Sequence, residues 1–119
     1  MDLALKGKII IVTGGSKGIG YGICACLVKE GAIPIIVGRN KQTIIQAVET
    51  LSQKEIAVGH VFAELTDPKQ CQAAVDTVIK EYGQIDGLVN NAGVNNSIGL
   101  ESGSHQAFTE SIQRNITHY

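Results

Sequence analysis

The chain has 119 residues, which suits one small domain spanning residues 1–119 and leaves no room for a second hydrophobic core. Its composition, 44% hydrophobic and 18% charged, is that of a globular protein rather than a disordered one. The formal net charge of -1 argues against binding to a nucleic acid backbone, and no apolar run reaches the roughly 18 residues of a membrane span. Because the first residues contain no signal peptide, we expect a cytoplasmic protein.

Four short apolar runs predict β-strands. In chain order they cover residues 9–12, 33–37, 56–62 and 85–89. The runs are continuous and rich in β-branched residues, which is typical of strands buried on both faces of a sheet. Amphipathic stretches between them predict helices, and the third helix has clear end signals. Asp67 can cap its start, Pro68 suits its first turn and Gly83 follows its last residue.

The apolar side chains of the predicted helices recur at three- and four-residue steps, which places them on one face of each helix. A final helix is predicted to start after Ser104. In chain order the four sets are Ile19, Ile23 and Leu27; Ile44, Val48 and Leu51; Cys71, Ala74, Val75, Val78, Ile79 and Tyr82; and Phe108, Ile112, Asn115 and Tyr119.

The three cysteines predict neither a local disulfide nor a metal site. Cys24 and Cys26 are two residues apart in the first predicted helix, so their side chains point away from each other. No partner ligands stand at a suitable spacing, and we predict no bound metal. We interpret both residues, together with Cys71, as small buried apolar side chains.

Alternation of strands and helices predicts an α/β fold. Such a chain forms parallel strands joined by right-handed crossovers, in a Rossmann-type doubly wound sheet of strand order 3-2-1-4. A ligand crevice is expected between strands 1 and 4, where the winding direction reverses. Functional residues should therefore follow Val12 and Val89 directly.

A glycine-rich loop occupies the first of these two places. Residues 13–20 follow the first predicted strand and open the first predicted helix. Gly14 allows a tight exit from the strand, whereas Gly18 and Gly20 let the backbone approach a pyrophosphate and let the helix pack on the sheet. The helix N-terminus then presents free N–H groups to the phosphates. A merely structural glycine turn is the alternative interpretation.

The loop resembles the TGxxxGxG fingerprint of the short-chain dehydrogenase/reductase family. A second signature of that family, Asn-Asn-Ala-Gly at residues 90–93, follows the fourth predicted strand. The resemblance covers the whole chain but only the first half of the family pattern, and it implies an NAD(P)-dependent oxidoreductase. It assigns to the cofactor Gly14, Ser16, Lys17, Gly18, Ile19, Gly20, Asn91, Ala92 and Gly93.

The end of the second predicted strand indicates which nicotinamide cofactor is used. No acid stands there for a ribose 2′-hydroxyl, whereas Arg39 is suited to a 2′-phosphate and Lys17 adds a second positive charge. Both resemble residues of NADP-preferring family members, so we expect NADP rather than NAD; solvated surface cations are the alternative. Glu64 and Leu65 stand where the family places an aspartate and a small apolar residue against the adenine. Alternatively, Glu64 is a solvated loop acid.

The catalytic residues that the resemblance implies are mostly absent. Asn115 matches the family asparagine that anchors a water in the proton relay, although a core asparagine bonded to backbone carbonyls is the alternative interpretation. The family motif Tyr-x-x-x-Lys is not found at Tyr21, Tyr82 or Tyr119. The strand that bears the catalytic serine would follow Tyr119. We therefore expect that the chain is inactive alone and is a truncated part of a longer enzyme.

Three functions remain open at this point. Residues 90–100 and 114–119 resemble bacterial L-fucose dehydrogenases, which implies a sugar substrate and oxidation of the C1 hydroxyl of an aldose. The alternative within the family is a 3-oxoacyl-carrier-protein reductase. A non-catalytic module that binds NADP(H) is the alternative for the chain as given. The resemblance also implies a homo-oligomer, commonly a tetramer.

Overall fold

The computed structural model describes residues 2–52, 57–93 and 103–117, without the side chains of residues 116 and 117. The strands in these ranges are β1 (Ile9–Thr13), β2 (Ile33–Gly38), β3 (Gly59–Phe62) and β4 (Gly87–Val89). They form one parallel sheet in the order β3-β2-β1-β4, which confirms the predicted topology. The start of the predicted third run, residue 56, lies outside the described residues. β3 begins at Gly59, and Val58 before it is buried in the core without pairing with β2.

The described helices are α1 (Gly18–Lys29), α2 (Lys41–Leu51), α3 (Pro68–Tyr82) and α4 (His105–Ile112), and a π-helical segment, Gln113–Thr117, continues α4. The predicted end signals are confirmed. The Asp67 carboxylate accepts a hydrogen bond of 2.9 Å from the Lys69 N–H, and Gly83 ends α3 with φ of 80°. The Ser104 hydroxyl accepts one of 3.0 Å from the Ala107 N–H. Within the described ranges no helix has the length and apolar character that a membrane crossing requires.

The sheet has a hydrophobic core on each face. Successive side chains of β1 enter different cores: Ile10 and Val12 pack with α1 and α2, whereas Ile9 and Ile11 pack with α3. A strand buried on both faces has no polar positions to alternate with apolar ones, which explains the continuous apolar run. The arrangement of helix, sheet and helix is that of the predicted doubly wound fold.

Two predicted core positions of α1 lie on the surface. Ile19 is 80% exposed, because the first turn of α1 stands at the carboxyl edge of the sheet rather than over it. The interpretation of Cys26 as a buried residue is also wrong, because only one face of α1 contacts the sheet and Cys26 points away from it. Cys24 is buried as expected, and Cys71 is partly buried.

Several apolar side chains of β4, α3 and α4 are exposed as well. β4 is an edge strand, so the predicted burial on both faces is wrong for Leu88, which is 57% exposed. Val75 and Ile79 on α3 are exposed, as are Phe108 and Ile112 on α4. Part of the apolar face of α3 and of α4 is therefore not buried by other residues in the described part of the chain.

Candidate functional site

A cleft of about 500 Å³ opens at the carboxyl ends of the strands, between the loop after β1 and the segment after β4. This is the predicted place, and the volume suits a small organic ligand. Its predicted lining residues are Gly14, Ser16, Lys17, Gly18, Ile19, Arg39, Glu64, Leu65, Asn91, Ala92 and Gly93. Lining residues that the sequence did not single out are Val37, Gly38, Asn40, Thr43, Ile44, Ala63, Thr66 and Arg114.

The glycine loop presents bare backbone to the cleft. Gly14 and Gly18 have φ angles of 67° and 59°, in the left-handed region that favours glycine. A Cβ on Gly14 would lie 3.0 Å from Ala92 Cα, whereas a Cβ on Gly18 would meet nothing within 4 Å. The N-cap residue of α1, Lys17, makes no side-chain cap hydrogen bond, so the first-turn N–H groups are left for water or a ligand. Such a helix end favours an anion.

The Thr13 hydroxyl connects the ends of β1 and β4. It accepts hydrogen bonds of 3.0 Å from the backbone N–H groups of Asn91 and Ala92, and it lies 3.3 Å from the Val89 carbonyl oxygen, to which it donates. Thr13 is the buried polar residue at the end of an otherwise apolar strand. This position in the sequence predicts that the Thr13 hydroxyl has hydrogen-bond partners, because a buried hydroxyl needs them. The sequence does not identify those partners.

The side chain of Asn91 packs beneath the glycine loop. Its amide donates hydrogen bonds of 3.2 Å to the carbonyl oxygens of Thr13 and Gly14. A Cβ at Gly20 would collide with the Gly14 carbonyl oxygen and with this amide. Gly20 is buried and is not among the residues that line the cleft, and its lack of a side chain lets α1 approach the loop closely.

An ion pair lies at the ends of β2 and β3. Arg39 Nη1 is 3.3 Å from Glu64 Oε2. The other carboxylate oxygen, Oε1, accepts hydrogen bonds from Thr66, 3.3 Å from its N–H and 3.0 Å from its hydroxyl. Partial burial alone would raise the pKa of Glu64, but the hydrogen bonds from Thr66 and Arg39 and the charge on Arg39 hold it below its usual value. Glu64 is therefore ionised, and its contacts with Thr66 and Arg39 fix its side chain, unlike that of a freely solvated loop acid.

The first turn of α2 also reaches the glycine loop. The Thr43 hydroxyl lies 3.3 Å from Ser16 Oγ and 3.2 Å from the Asn40 carbonyl oxygen. The Asn40 side chain caps α2 by accepting a hydrogen bond of 3.1 Å from the Thr43 N–H. Sequence reasoning missed both residues, although an asparagine directly before a helix is a recognisable cap signal. Thr43 contacts Ser16 at the edge of the cleft, and Asn40 caps the helix turn that carries Thr43.

Comparison with known proteins agrees with this geometry. Residues 8–119 match the family model described as short chain dehydrogenase. The chain belongs to the short-chain dehydrogenase family. Residues of the TGxxxGxG loop and of the Asn-Asn-Ala-Gly segment line the cleft, together with residues that follow β2 and β3.

The similar proteins within the short-chain dehydrogenase family are named as different enzymes. A 3alpha-hydroxysteroid dehydrogenase from Mediterraneibacter gnavus is 32% identical over 119 residues, covering 98% of this chain and 48% of the relative. A 3-oxoacyl-[acyl-carrier-protein] reductase from Chlamydia muridarum is 34% identical over 117 residues, covering 98% and 47%. L-Sorbose reductase from Gluconobacter frateurii, solved in complex with NADPH and L-sorbose, superposes with a TM-score of 0.90 at 28% identity, covering 99% and 45%. The chain thus spans about half the length of the curated relatives it matches.

The cleft fits the nicotinamide dinucleotide that the short-chain dehydrogenase family implies. The bare backbone at Gly18 and the open first turn of α1 suit a pyrophosphate. Lys17 and Arg39 supply positive charge within the same cleft. A metal ion has no comparable site in the described part of the chain, where no group of three or more potential ligands occurs.

Asn115 lies beside the cleft rather than in its wall. Its amide nitrogen donates a hydrogen bond of 2.8 Å to the Ser111 carbonyl oxygen, and a Cβ on Gly93 would be 2.7 Å from Asn115 Oδ1. The residue belongs to the π-helical segment, a distortion often found at functional sites of proteins. Its neighbour Arg114 lines the cleft. Tyr119, predicted to share this helix face, lies outside the described residues.

Proposed function

We propose that this chain is the nucleotide-binding part of an oxidoreductase that uses NADP(H) in preference to NAD(H). One observation carries the proposal: the open N-terminus of α1 shares a cleft with the cations Lys17 and Arg39, and Arg114 also lines that cleft. The helix N-terminus suits a pyrophosphate, and a guanidinium suits a 2′-phosphate. The likeness to an L-sorbose reductase solved with NADPH supports the same choice.

The chain's own residues would bind and orient the dinucleotide. We assign the pyrophosphate to the backbone of residues 14–20, the adenine to Glu64 and Leu65, and the nicotinamide side of the cleft to residues 91–93. The bound nicotinamide supplies a carbon that gives or takes a hydride. Asn115 would hold a water at the edge of this region for proton transfer, and its position against Gly93 supports that role.

For the whole protein we propose oxidation of the C1 hydroxyl of an aldose such as L-fucose. The likeness of residues 90–100 and 114–119 to bacterial L-fucose dehydrogenases supports this substrate class, and the likeness to L-sorbose reductase supports a sugar as the substrate. The test measures NADP⁺ reduction by the protein that the longest open reading frame containing this chain encodes. L-Fucose and other aldoses are the substrates. Absence of turnover with every aldose would contradict the substrate class.

A 3-oxoacyl-carrier-protein reductase is the second candidate, supported by the relative from Chlamydia muridarum. NADPH oxidation with a 3-oxoacyl thioester, measured on the same protein, distinguishes the two enzymes. A non-catalytic NADP(H)-binding module is the third candidate. Tight NADPH binding without turnover of either substrate class would favour this third function.

We also propose that the whole protein is a homo-oligomer. The exposed Phe108 and Ile112 on α4 support this, because exposed apolar side chains on one helix face are typical of surfaces that become covered. Light scattering of the whole protein tests it, and a mass equal to that of one subunit would contradict it.

Titration of the 119-residue chain with NADPH and NADH, followed by nicotinamide fluorescence, tests the cofactor proposal. We expect tighter binding of NADPH, and in Arg39→Ala a loss of about tenfold in NADPH affinity with little change for NADH. Lys29→Ala, which removes a cation outside the cleft, is the matched control. Binding of neither cofactor would contradict the proposed function, and an equal loss for both would contradict the role of Arg39.

A further inference from the structure

Arg39 already has an anionic partner inside the cleft. Its Nη1 lies 3.3 Å from Glu64 Oε2, and the two side chains are 62% and 35% exposed. Both residues line the cleft, and Arg39 is the residue to which the proposed function assigns the 2′-phosphate. A 2′-phosphate would therefore meet a guanidinium that is engaged with a carboxylate.

Glu64 is held in place from the side opposite Arg39. Thr66 donates two hydrogen bonds to Oε1, at 3.3 Å from its N–H and 3.0 Å from its hydroxyl, and this leaves Oε2 toward Arg39. The Glu64 N–H donates a hydrogen bond of 2.7 Å to Gln70 Oε1, which anchors the backbone of the same residue. The carboxylate cannot turn away from Arg39 without losing contacts with Thr66.

The negative charge of Glu64 competes with a phosphate for Arg39. Thr66 and Arg39 outweigh the effect of burial and keep the pKa of Glu64 below its usual value, so the carboxylate is ionised at neutral pH. A phosphate monoester carries about two negative charges there, and it must share Arg39 with the negative Glu64. A ribose with a free 2′-hydroxyl meets no such conflict. The carboxylate therefore disfavours NADP(H) relative to NAD(H).

We propose that Glu64 limits the preference for NADP(H) by holding Arg39 in an ion pair that a 2′-phosphate has to share. The proposal rests on the nucleotide-binding function proposed above, and it makes Glu64 a specificity-determining residue that acts through Arg39. Removal of the carboxylate charge should free the guanidinium and raise the preference for a 2′-phosphorylated ligand.

Adenosine 2′,5′-bisphosphate and AMP are matched probes, because they differ only in the 2′-phosphate. Titration calorimetry of the 119-residue chain with each probe gives the ratio of their affinities. In Glu64→Gln we expect this ratio to rise about two- to fivefold, as for the loss of one exposed ion pair. In Glu64→Asp the charge stays but retracts from Arg39, so the ratio rises less. Asp76→Asn makes the same charge change on the exposed side of α3, and the ratio should not move.

A double-mutant cycle tests the route through Arg39. The effect of Glu64→Gln on the affinity ratio should vanish when Arg39 is replaced by alanine. An unchanged or lower ratio in Glu64→Gln would overturn the proposal, and so would a rise that persists in the Arg39→Ala background. Circular dichroism reports whether each variant is folded; if Glu64→Gln does not fold, Glu64→Asp decides.

Failure of this inference differs from failure of the proposed function. A wild-type chain that binds neither probe contradicts nucleotide binding and the inference together. A chain that binds both probes, with the same affinity ratio in wild type, Glu64→Gln and Glu64→Asp, contradicts the inference alone.

Discussion

The side-chain amide of Asn91 donates a hydrogen bond of 3.2 Å to the carbonyl oxygen of Gly14, 77 positions earlier in the chain. The same amide reaches the Thr13 carbonyl oxygen at 3.2 Å. These contacts join the segment after β4 to the glycine loop after β1. The shape of the cleft therefore depends on two sequence motifs that hold each other, and neither forms the site alone.

Asn91→Ala should destabilise the chain by about 1–3 kcal/mol, because it leaves two partly buried carbonyl oxygens without this donor. NADPH affinity should fall as well, since the loop loses its support. Urea denaturation and NADPH titration measure the two effects. The neighbouring Asn90 is exposed and does not line the cleft, so Asn90→Ala should change stability by less than about 0.5 kcal/mol. Equal effects of the two variants would contradict the role given to Asn91.

Thr13→Val should also destabilise the chain by about 1–3 kcal/mol, because the backbone N–H groups of Asn91 and Ala92 lose their acceptor in a buried place. Thr13→Ser keeps the hydroxyl and removes one methyl group, so it should cost only about 0.8 kcal/mol. Chemical denaturation of both variants gives the comparison. If the serine variant is the less stable one, packing of the methyl group outweighs the hydrogen bonds.

Gly20→Ala and Gly22→Ala should have opposite effects on stability, although both lie in α1. Alanine is favoured over glycine in a helix by about 1 kcal/mol. At Gly22 a Cβ meets nothing within 4 Å, so that variant should gain stability. At Gly20 the Cβ would collide with the Gly14 carbonyl oxygen, so that variant should lose stability and affinity for NADPH. Thermal unfolding measures both, and a stabilised Gly20→Ala would contradict the tight packing of α1 on the loop.

The cysteines should differ in their reactivity. Cys26 is exposed and should be alkylated in the folded chain, whereas burial raises the pKa of Cys24 to about 12 and keeps its thiol protonated and shielded. Since the thiolate is the nucleophile, the raised pKa of Cys24 should leave this residue unlabelled until the chain unfolds. Mass spectrometry of peptides after timed alkylation identifies the site, and early labelling of Cys24 would contradict the described core.

Much of the fold could be predicted because local signals and burial agree. The strand order followed from continuous apolar runs alternating with helices, and the ends of α3 from Asp67 and Gly83. The exposure of Leu88 could not be predicted in the same way. The predicted order 3-2-1-4 already places strand 4 at the edge, but its apolar run resembles those of the central strands and does not show which of its side chains are left uncovered.

The candidate site could also be predicted only in part from the sequence. The glycine loop and the segment after β4 could be located, because parallel strands bring their carboxyl ends to one edge. The pairing of Arg39 with Glu64 joins residues 25 positions apart at the ends of different strands, and the sequence assigned each of them separately to a ligand. Side-chain contacts of this kind depend on rotamers and on how far each of the two strands extends at the edge of the sheet. The order of residue types along the sequence encodes neither.

We expect a nicotinamide dinucleotide to bind in the cleft between the glycine loop and the segment after β4. Heteronuclear NMR of the isotope-labelled 119-residue chain during titration with NADPH tests it most directly. We expect the amide chemical shifts of residues 14–20 and 91–93 to change, whereas that of Asp76, on the exposed side of α3, should not change. Absence of any shift, or shifts confined to residues outside the cleft, would contradict it.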